Sequence, residues 1–132
     1  MAALDRPVAK PRPVYLNLVA IRQPLPAFVS ILHRASGALL FVLGIPLLLW
    51  VIERALASPG AWEHMRALFA QPLVKLVAIV LAWAYFHHFL AGIRHLLLDL
   101  DIGMDLQPAR QSAAFILVLT LLLTLAVAMR LW

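Results

Sequence analysis

Cysteine is absent from this 132-residue chain. Disulfides, thiolate metal centres and cysteine-bound iron–sulfur clusters are therefore excluded within it. Charge is scarce as well: Asp, Glu, Lys and Arg make up 13% of residues, against 64% that are apolar. A soluble domain of this size needs a more polar surface. Residues 35–52, 76–93 and 111–129 hold no Asp, Glu, Lys or Arg over 18, 18 and 19 positions. A bilayer core of ~30 Å takes roughly 20 apolar residues in a helix. Lipid offers the backbone no hydrogen bonds, so only helices and closed barrels span it. Runs this apolar, without strand alternation, read as helices. The sequence thus predicts an all-α integral membrane protein, part of a multi-subunit helical bundle. Its three transmembrane helices fall at about 28–54, 70–98 and 111–131. Together they form an anchor domain over residues 28–132, behind an N-terminal arm over 1–27.

Acidic residues are few, six against eleven basic, which leaves a net charge of +5. Nucleic acid is one reading of such a balance, but the placement points elsewhere. Arg6, Lys10, Arg12, Arg22 and Arg34 precede or open the first helix, against Asp5 alone. Arg94 and Arg110 flank the second connection, so seven of the eleven basic residues fall on one side. The bias predicts a cytoplasmic N-terminus, by the excess of Lys and Arg on cytoplasmic loops. Residues 1–27 lack an apolar core, which predicts no signal peptide. They also make a poor mitochondrial presequence, so the bacterial inner membrane is the expected location.

Proline punctuates the rest. Pro7, Pro11 and Pro13 predict an extended arm, and Pro24 and Pro26 reset the chain before the first helix. Pro46, inside that helix, removes a backbone donor and predicts a kink. Ser58-Pro59 suits a helix start, followed by Trp62, Met65, Leu68 and Phe69, so a short helix on the membrane surface is expected. In the third helix Ser112, Thr120 and Thr124 are expected to bond their own backbone in a packing role.

Ionisable side chains inside a membrane are costly and usually functional. Here they cluster as Ser30-Ile31-Leu32-His33-Arg34, His87-His88 and Gly92-Ile93-Arg94-His95, with Asp99 one turn later. His88, Gly92 and His95 share one helical face. A haem standing on a histidine needs space beside the helix. Ala84, Ala91 and Gly92 are small and one turn from His88, whereas Trp83 and Leu90 crowd His87. Sterics therefore favour His88 as ligand over His87, although either could simply bond a neighbouring helix. Ser30 and Arg34 lie four apart, and a hydroxyl beside a guanidinium can hold a polar head group. The blander alternative has Arg34 snorkelling to lipid head groups. Helix one and helix two run in opposite directions, which brings His33 and Arg34 level with Arg94 and His95. His88 lies about 10 Å deeper than His95 at 1.5 Å per residue. Haem propionates could reach this basic layer.

Two segments carry a family resemblance. The first is Arg12-Pro13-Val14-x-Leu16-x-Leu18-x-x-Ile21-Arg22-x-Pro24 with Ser30-Ile31-Leu32-His33-Arg34-x-x-Gly37. The second, more specific, is Tyr85-x-x-His88-x-x-x-Gly92-Ile93-Arg94-His95-x-x-x-Asp99. Both resemble signatures of the cytochrome b subunit of succinate dehydrogenase, and length and helix count agree across nearly the whole chain. The resemblance implies a complex of a flavoprotein that oxidises succinate, an iron–sulfur protein, and two small membrane subunits that reduce quinone. It implies haem b, with His88 as one axial ligand and the second membrane subunit supplying the other. It implies propionate contacts from His33, Arg34 and His95, and a ubiquinone site at Ser30 and Arg34. His87 departs from the family pattern.

The expected function is an electron-transfer anchor, non-catalytic alone because it holds no succinate site. Asp99 is a candidate for proton delivery, with surface solvation as the alternative. A haem-free structural anchor, the equivalent subunit of a fumarate reductase, and a small transporter or channel subunit are the rival readings. The last usually places charges at the bilayer midplane. Here they gather near one face.

Overall fold

The computed structural model describes residues 17, 20–58 and 60–132. The expectations for the proline-rich arm, for Pro59 and for the Arg12–Leu18 part of the first signature lie outside the described residues. Among those residues the chain is all-helical. Helix α1 (Leu25–Leu39) passes through a π-helical turn (Leu40–Gly44) into α2 (Ile45–Leu56). A short α3 (Ala61–Phe69) leads to α4 (Pro72–Asp99) and α5 (Leu106–Leu131). Three continuous spans are long and apolar enough to cross a membrane: Leu25–Leu56, Pro72–Asp99 and Leu106–Leu131, of 32, 28 and 26 residues. All begin or end within a few residues of the sequence-predicted bounds except at the start of α5. There Pro108 sits in the first helical turn, where its missing N–H costs nothing, so the helix begins earlier.

Proline sets the start of α1 and α4 in the same way. Pro24 is the extended N-cap residue of α1 and Pro26 stands in its first turn, and Pro72 opens α4. Pro46 stands two residues after the π turn, next to Ile45, whose N–H reaches back five residues to the Leu40 carbonyl. Pro46 has no N–H to give, so the regular ladder lapses here. The consequence is visible in the packing. Helix α1 lies against α4 and α5, whereas α2 packs on α3 and the π turn without approaching the α4 or α5 backbone. A cleft therefore opens between α2 and α4.

Helices α4 and α5 form the longest contact. Their shared seam consists of small or β-branched residues: Ala84 and Ala91 on α4, Ala113, Ile116, Thr120 and Thr124 on α5. Val29 of α1 completes the buried cluster. Small side chains let helix backbones approach, which gains dispersion contacts that lipid cannot supply. Phe41, Leu48, Leu73 and Phe115 stay exposed, as a bundle dissolved in lipid allows. At the far end from the α4–α5 loop, Lys75 Nζ lies 5.2 Å over the Trp132 ring and joins the two helix ends.

Helix α3 starts at Ala61 with Gly60 as its N-cap, two residues after the Ser58 expected from the sequence. Ser58 Oγ accepts the N–H of Ala61 at 3.2 Å, and Met65 of α3 is buried while Trp62 is exposed. Helix α4 ends in paired reverse bonds: Ile102 N–H to Leu97 O at 3.0 Å and Asp101 N–H to Leu98 O at 3.0 Å. Asp101 carries the left-handed φ of 60° that this helix stop requires. A left-handed residue with a Cβ costs roughly 1–2 kcal/mol, less for Asp than for most. Asp101→Gly is therefore expected to stabilise the fold by about 1 kcal/mol. Asp101→Val is expected to destabilise it, and differential scanning calorimetry of the purified protein checks both.

Candidate functional site

Helical phase decides which way each polar residue of α4 faces. Ala84, His87, Ala91 and Arg94 follow one another at steps of three, four and three and form its buried stripe. His88, Gly92 and His95 form the adjacent stripe, which meets α1 at His33. The rings of His33 and His88 stack with centroids 4.2 Å apart and planes within 5°, and His95 lies 5.0 Å from His33. Three of the residues picked out from sequence, His33, His88 and His95, are thus brought together. Ser30 is half-buried on the same side of α1, one turn before Arg34, which is exposed.

His88 is held from behind. Its Nδ1–H donates to the carbonyl of His33 at 3.0 Å, and the buried Ser36 hydroxyl donates to the same oxygen at 2.9 Å. A carbonyl can only accept, so a neutral His88 carries its proton on Nδ1 and leaves the Nε2 lone pair free. Gly37 supplies the cradle. A Cβ there would stand 2.6 Å from His88 Cε1 and 3.0 Å from Nδ1, so only glycine admits the ring in this place. His88 forms part of the wall of the cleft between α2 and α4, a space of about 900 Å³. Its other walls include Gly37, Phe41, Gly44, Leu81 and Tyr85.

His87 is placed oppositely. It is 0% exposed, its Nε2–H donates to the Val29 carbonyl at 3.4 Å, and Trp83 stacks on it at 5.6 Å. It has no access to the cleft. The crowding by Trp83 expected from the sequence is present, but the matching assignment of clearance needs correction. Ala84 and Ala91 do not flank the open side of His88. Both are fully buried in the stripe of His87, and Ala91 packs with Val29 of α1 and Ala113 and Ile116 of α5. Gly92 lies under His33, where a Cβ would sit 3.5 Å from Nε2. The reason is rotation: residues at minus four and plus three from His88 are also at minus three and plus four from His87. The helix turns that shared flank inward. The open side of His88 is furnished by α1, through Gly37.

The level of Arg94 predicts a place in the basic layer, yet its guanidinium bonds α5 instead. It is 6% exposed, with Nε donating to Ser112 Oγ at 3.0 Å and Nη2 to the Ala109 carbonyl at 3.4 Å. Ser112 bonds the Ala109 carbonyl at 3.2 Å, as expected, and also anchors this arginine. The signal was present in the spacing, since Arg94 is seven from His87 and three from Ala91. Gly37 and Ser36 were missed as parts of the site. Their signal was position, four and three residues after His33, and Gly37 also closes the first signature. Asp99 is exposed at the end of α4.

A histidine with one ring nitrogen committed to the backbone, at the wall of an apolar cleft, is suited to a metal in a flat macrocycle. Residues 8–127 match the family described as succinate dehydrogenase/fumarate reductase transmembrane subunit. The chain is 34% identical over 122 residues to the succinate dehydrogenase cytochrome b556 subunit of Coxiella burnetii, covering 92% of this chain and 97% of that one. It is 35% identical over 102 residues to the subunit of the same name in Paracoccus denitrificans, covering 77% and 78%. Similarity extends to the human mitochondrial cytochrome b560 subunit, 30% over 129 residues, covering 94% of this chain and 74% of that one. The buried helix seams, the three spans and these matches over most of the sequence agree: the chain is a multi-pass membrane protein that belongs to the succinate dehydrogenase/fumarate reductase transmembrane subunit family.

Proposed function

We propose that this chain is a haem b-binding membrane anchor of a succinate dehydrogenase, and that it helps pass electrons from an iron–sulfur subunit to quinone. The observation that carries the reading is His88: Nδ1 committed to the His33 carbonyl, Nε2 free, at the wall of the 900 Å³ cleft. A backbone bond on one ring nitrogen fixes the tautomer in which the other nitrogen can hold a metal. His88 Nε2 is the proposed axial ligand, with Gly37 as its clearance. When bound, haem supplies one-electron redox chemistry at a potential set by its ligands and surroundings. His33, stacked on His88, His95, packed against His33, and Arg34 on the same turn of α1 as His33 are proposed to contact the propionates. Arginine and carboxylate make strong charge-assisted bonds in a medium of low polarity.

The second axial ligand is proposed to come from another small membrane subunit. His88 is the only histidine at the wall of the cleft among the described residues. His33 is stacked on it, His95 is tilted against His33, and His64 lies on α3. A soluble iron–sulfur subunit and a flavoprotein complete the proposed assembly, docked on the cytoplasmic face of a bacterial inner membrane. The eleven basic residues, biased toward the N-terminal side, support that orientation. Ubiquinone is the proposed substrate, its carbonyl bonded by Ser30 and its developing negative charge offset by Arg34.

The experiment is an oxidised-minus-reduced absorption spectrum of the complex purified from membranes, with and without succinate. A low-spin b-type spectrum reduced by succinate is the expected result. Its absence would leave a haem-free anchor. Gly37→Ala gives a finer test. The added methyl displaces the His88 ring, so the expected outcome is haem content reduced at least severalfold, or a changed low-spin resonance in the haem that remains. Pyridine haemochrome quantification and electron paramagnetic resonance measure the two.

A further inference from the structure

His87 is buried, ionisable and unused by the function proposed above. Because its Nε2–H donates to the Val29 carbonyl, a neutral ring has a bare lone pair on Nδ1. That atom has no hydrogen-bond partner among the described residues. Thr120 Oγ1, on a residue 1% exposed, is in the same position. No other buried side-chain nitrogen or oxygen among the described residues is so placed. One group is an acceptor without a donor, and the other is a hydroxyl without an acceptor. Native proteins rarely leave such groups unmatched, because a buried polar group has given up its water bonds.

Helical register brings the two to one level. Arg94 Nε and Ser112 Oγ meet at 3.0 Å across the antiparallel helices α4 and α5. His87 is seven residues back from Arg94, and Thr120 is eight residues on from Ser112. At about 1.5 Å per residue, the two sites differ in height by about 1.5 Å. Both belong to the buried stripes of their helices. Thr124, one turn away, directs its hydroxyl to the Thr120 carbonyl at 2.8 Å, so it does not compete.

We infer that His87 and Thr120 hold a single buried water between them. Thr120 O–H donates to the water, the water donates to His87 Nδ1, and His87 Nε2–H donates to the Val29 carbonyl. Buried waters occupy sites of this kind, with two or more polar partners and no route to bulk. The relay ties α5 to α4 and α4 to the turn of α1 that precedes Ser30 and His33. His87 is thereby a positioning residue. It fixes the rotation of α4, and the next residue, about 100° further round, turns to the cleft. The inference rests on the reading that His88, not His87, binds iron.

The test uses the whole complex carrying His87→Leu, Thr120→Val, or both. Three measurements are made: a high-resolution cryo-electron microscopy map of the unmodified complex, the rate of thermal haem release, and low-spin resonance. The map is expected to hold water density within hydrogen-bonding distance of both side chains. Each single variant is expected to release haem about tenfold faster, the scale of leaving a buried partner unsatisfied. The double variant should release it no faster than the faster single one, because removing both partners leaves neither Nδ1 nor Oγ1 unpaired, and the loss of the bond to Val29 is common to His87→Leu and the double variant. Low-spin signals should persist in all three. Additive rates, unchanged single variants, or a map with no density at Nδ1 would overturn the water site. Loss of the low-spin signal in His87→Leu alone would instead overturn the ligand assignment. If that variant does not assemble, Thr120→Val decides alone: tenfold faster release supports the relay and an unchanged rate overturns it.

Discussion

His88→Tyr is expected to remove the low-spin bis-histidine haem signal almost completely. His88 would hold the iron through a neutral imidazole nitrogen, a strong-field donor that a phenol does not replace. The alternative donor next door cannot step in. His87 is fully buried, bonded to Val29 and stacked on Trp83, on the flank of α4 that faces away from the cleft. Reaching the cleft would require turning α4 by about one residue, roughly 100°. That rotation would expose Ala84 and Ala91 and break the Arg94–Ser112 bond. The measurement is electron paramagnetic resonance with reduced-minus-oxidised spectra on membranes containing the variant complex. Normal bis-histidine signals in His88→Tyr would sink the assignment.

Ser30→Ala and Arg34→Leu are expected to lower succinate–quinone activity while sparing succinate oxidation by soluble dyes. The dye takes electrons upstream of the membrane, so only the last step should suffer. Removing a donor aimed at a developing oxyanion typically costs on the order of 10²-fold or more in kcat. The charged Arg34 should have the larger effect, about 10²-fold, and Ser30 about tenfold. Their placement fits this division: Ser30 is half-buried in the α1 stripe that continues to His33 and Gly37, and Arg34 is exposed beyond it. Parallel assays with quinone and with dye separate the outcomes. Equal loss of both activities would mean a defect of assembly, and no change in either would mean that the residues do not hold quinone.

The spans were legible because lipid leaves the chain so few options. An uncharged run of 18 or 19 residues has to be a helix, and Pro24, Pro26 and Pro72 mark where helices can begin. Pro46 was legible as a disturbance but not in its form. The sequence predicted a kink, and the structure has a π turn just before it, after which α2 no longer follows α4. Whether a lapsed backbone bond yields a bend or an inserted residue depends on what packs beside it, which local sequence does not contain.

The sequence by itself determined three membrane-spanning helices, their order, the family, and the stripe of His88, Gly92 and His95. Those follow from composition and from the 3.6-residue period, which act within one helix. The rotation of that helix was decided only by the tertiary structure. Adjacent His87 and His88 differ by a fixed angle, but nothing within α4 says which of them faces lipid, partner or core. The alanines looked like space beside His88 and turned out to be the seam beside His87. Arg94 looked like part of a basic surface layer and turned out to be the clip to α5. Gly37, on a different helix 51 residues earlier, proved to be what makes room for His88. Contacts of that kind join positions far apart in the chain, and they exist only once α1, α4 and α5 have packed.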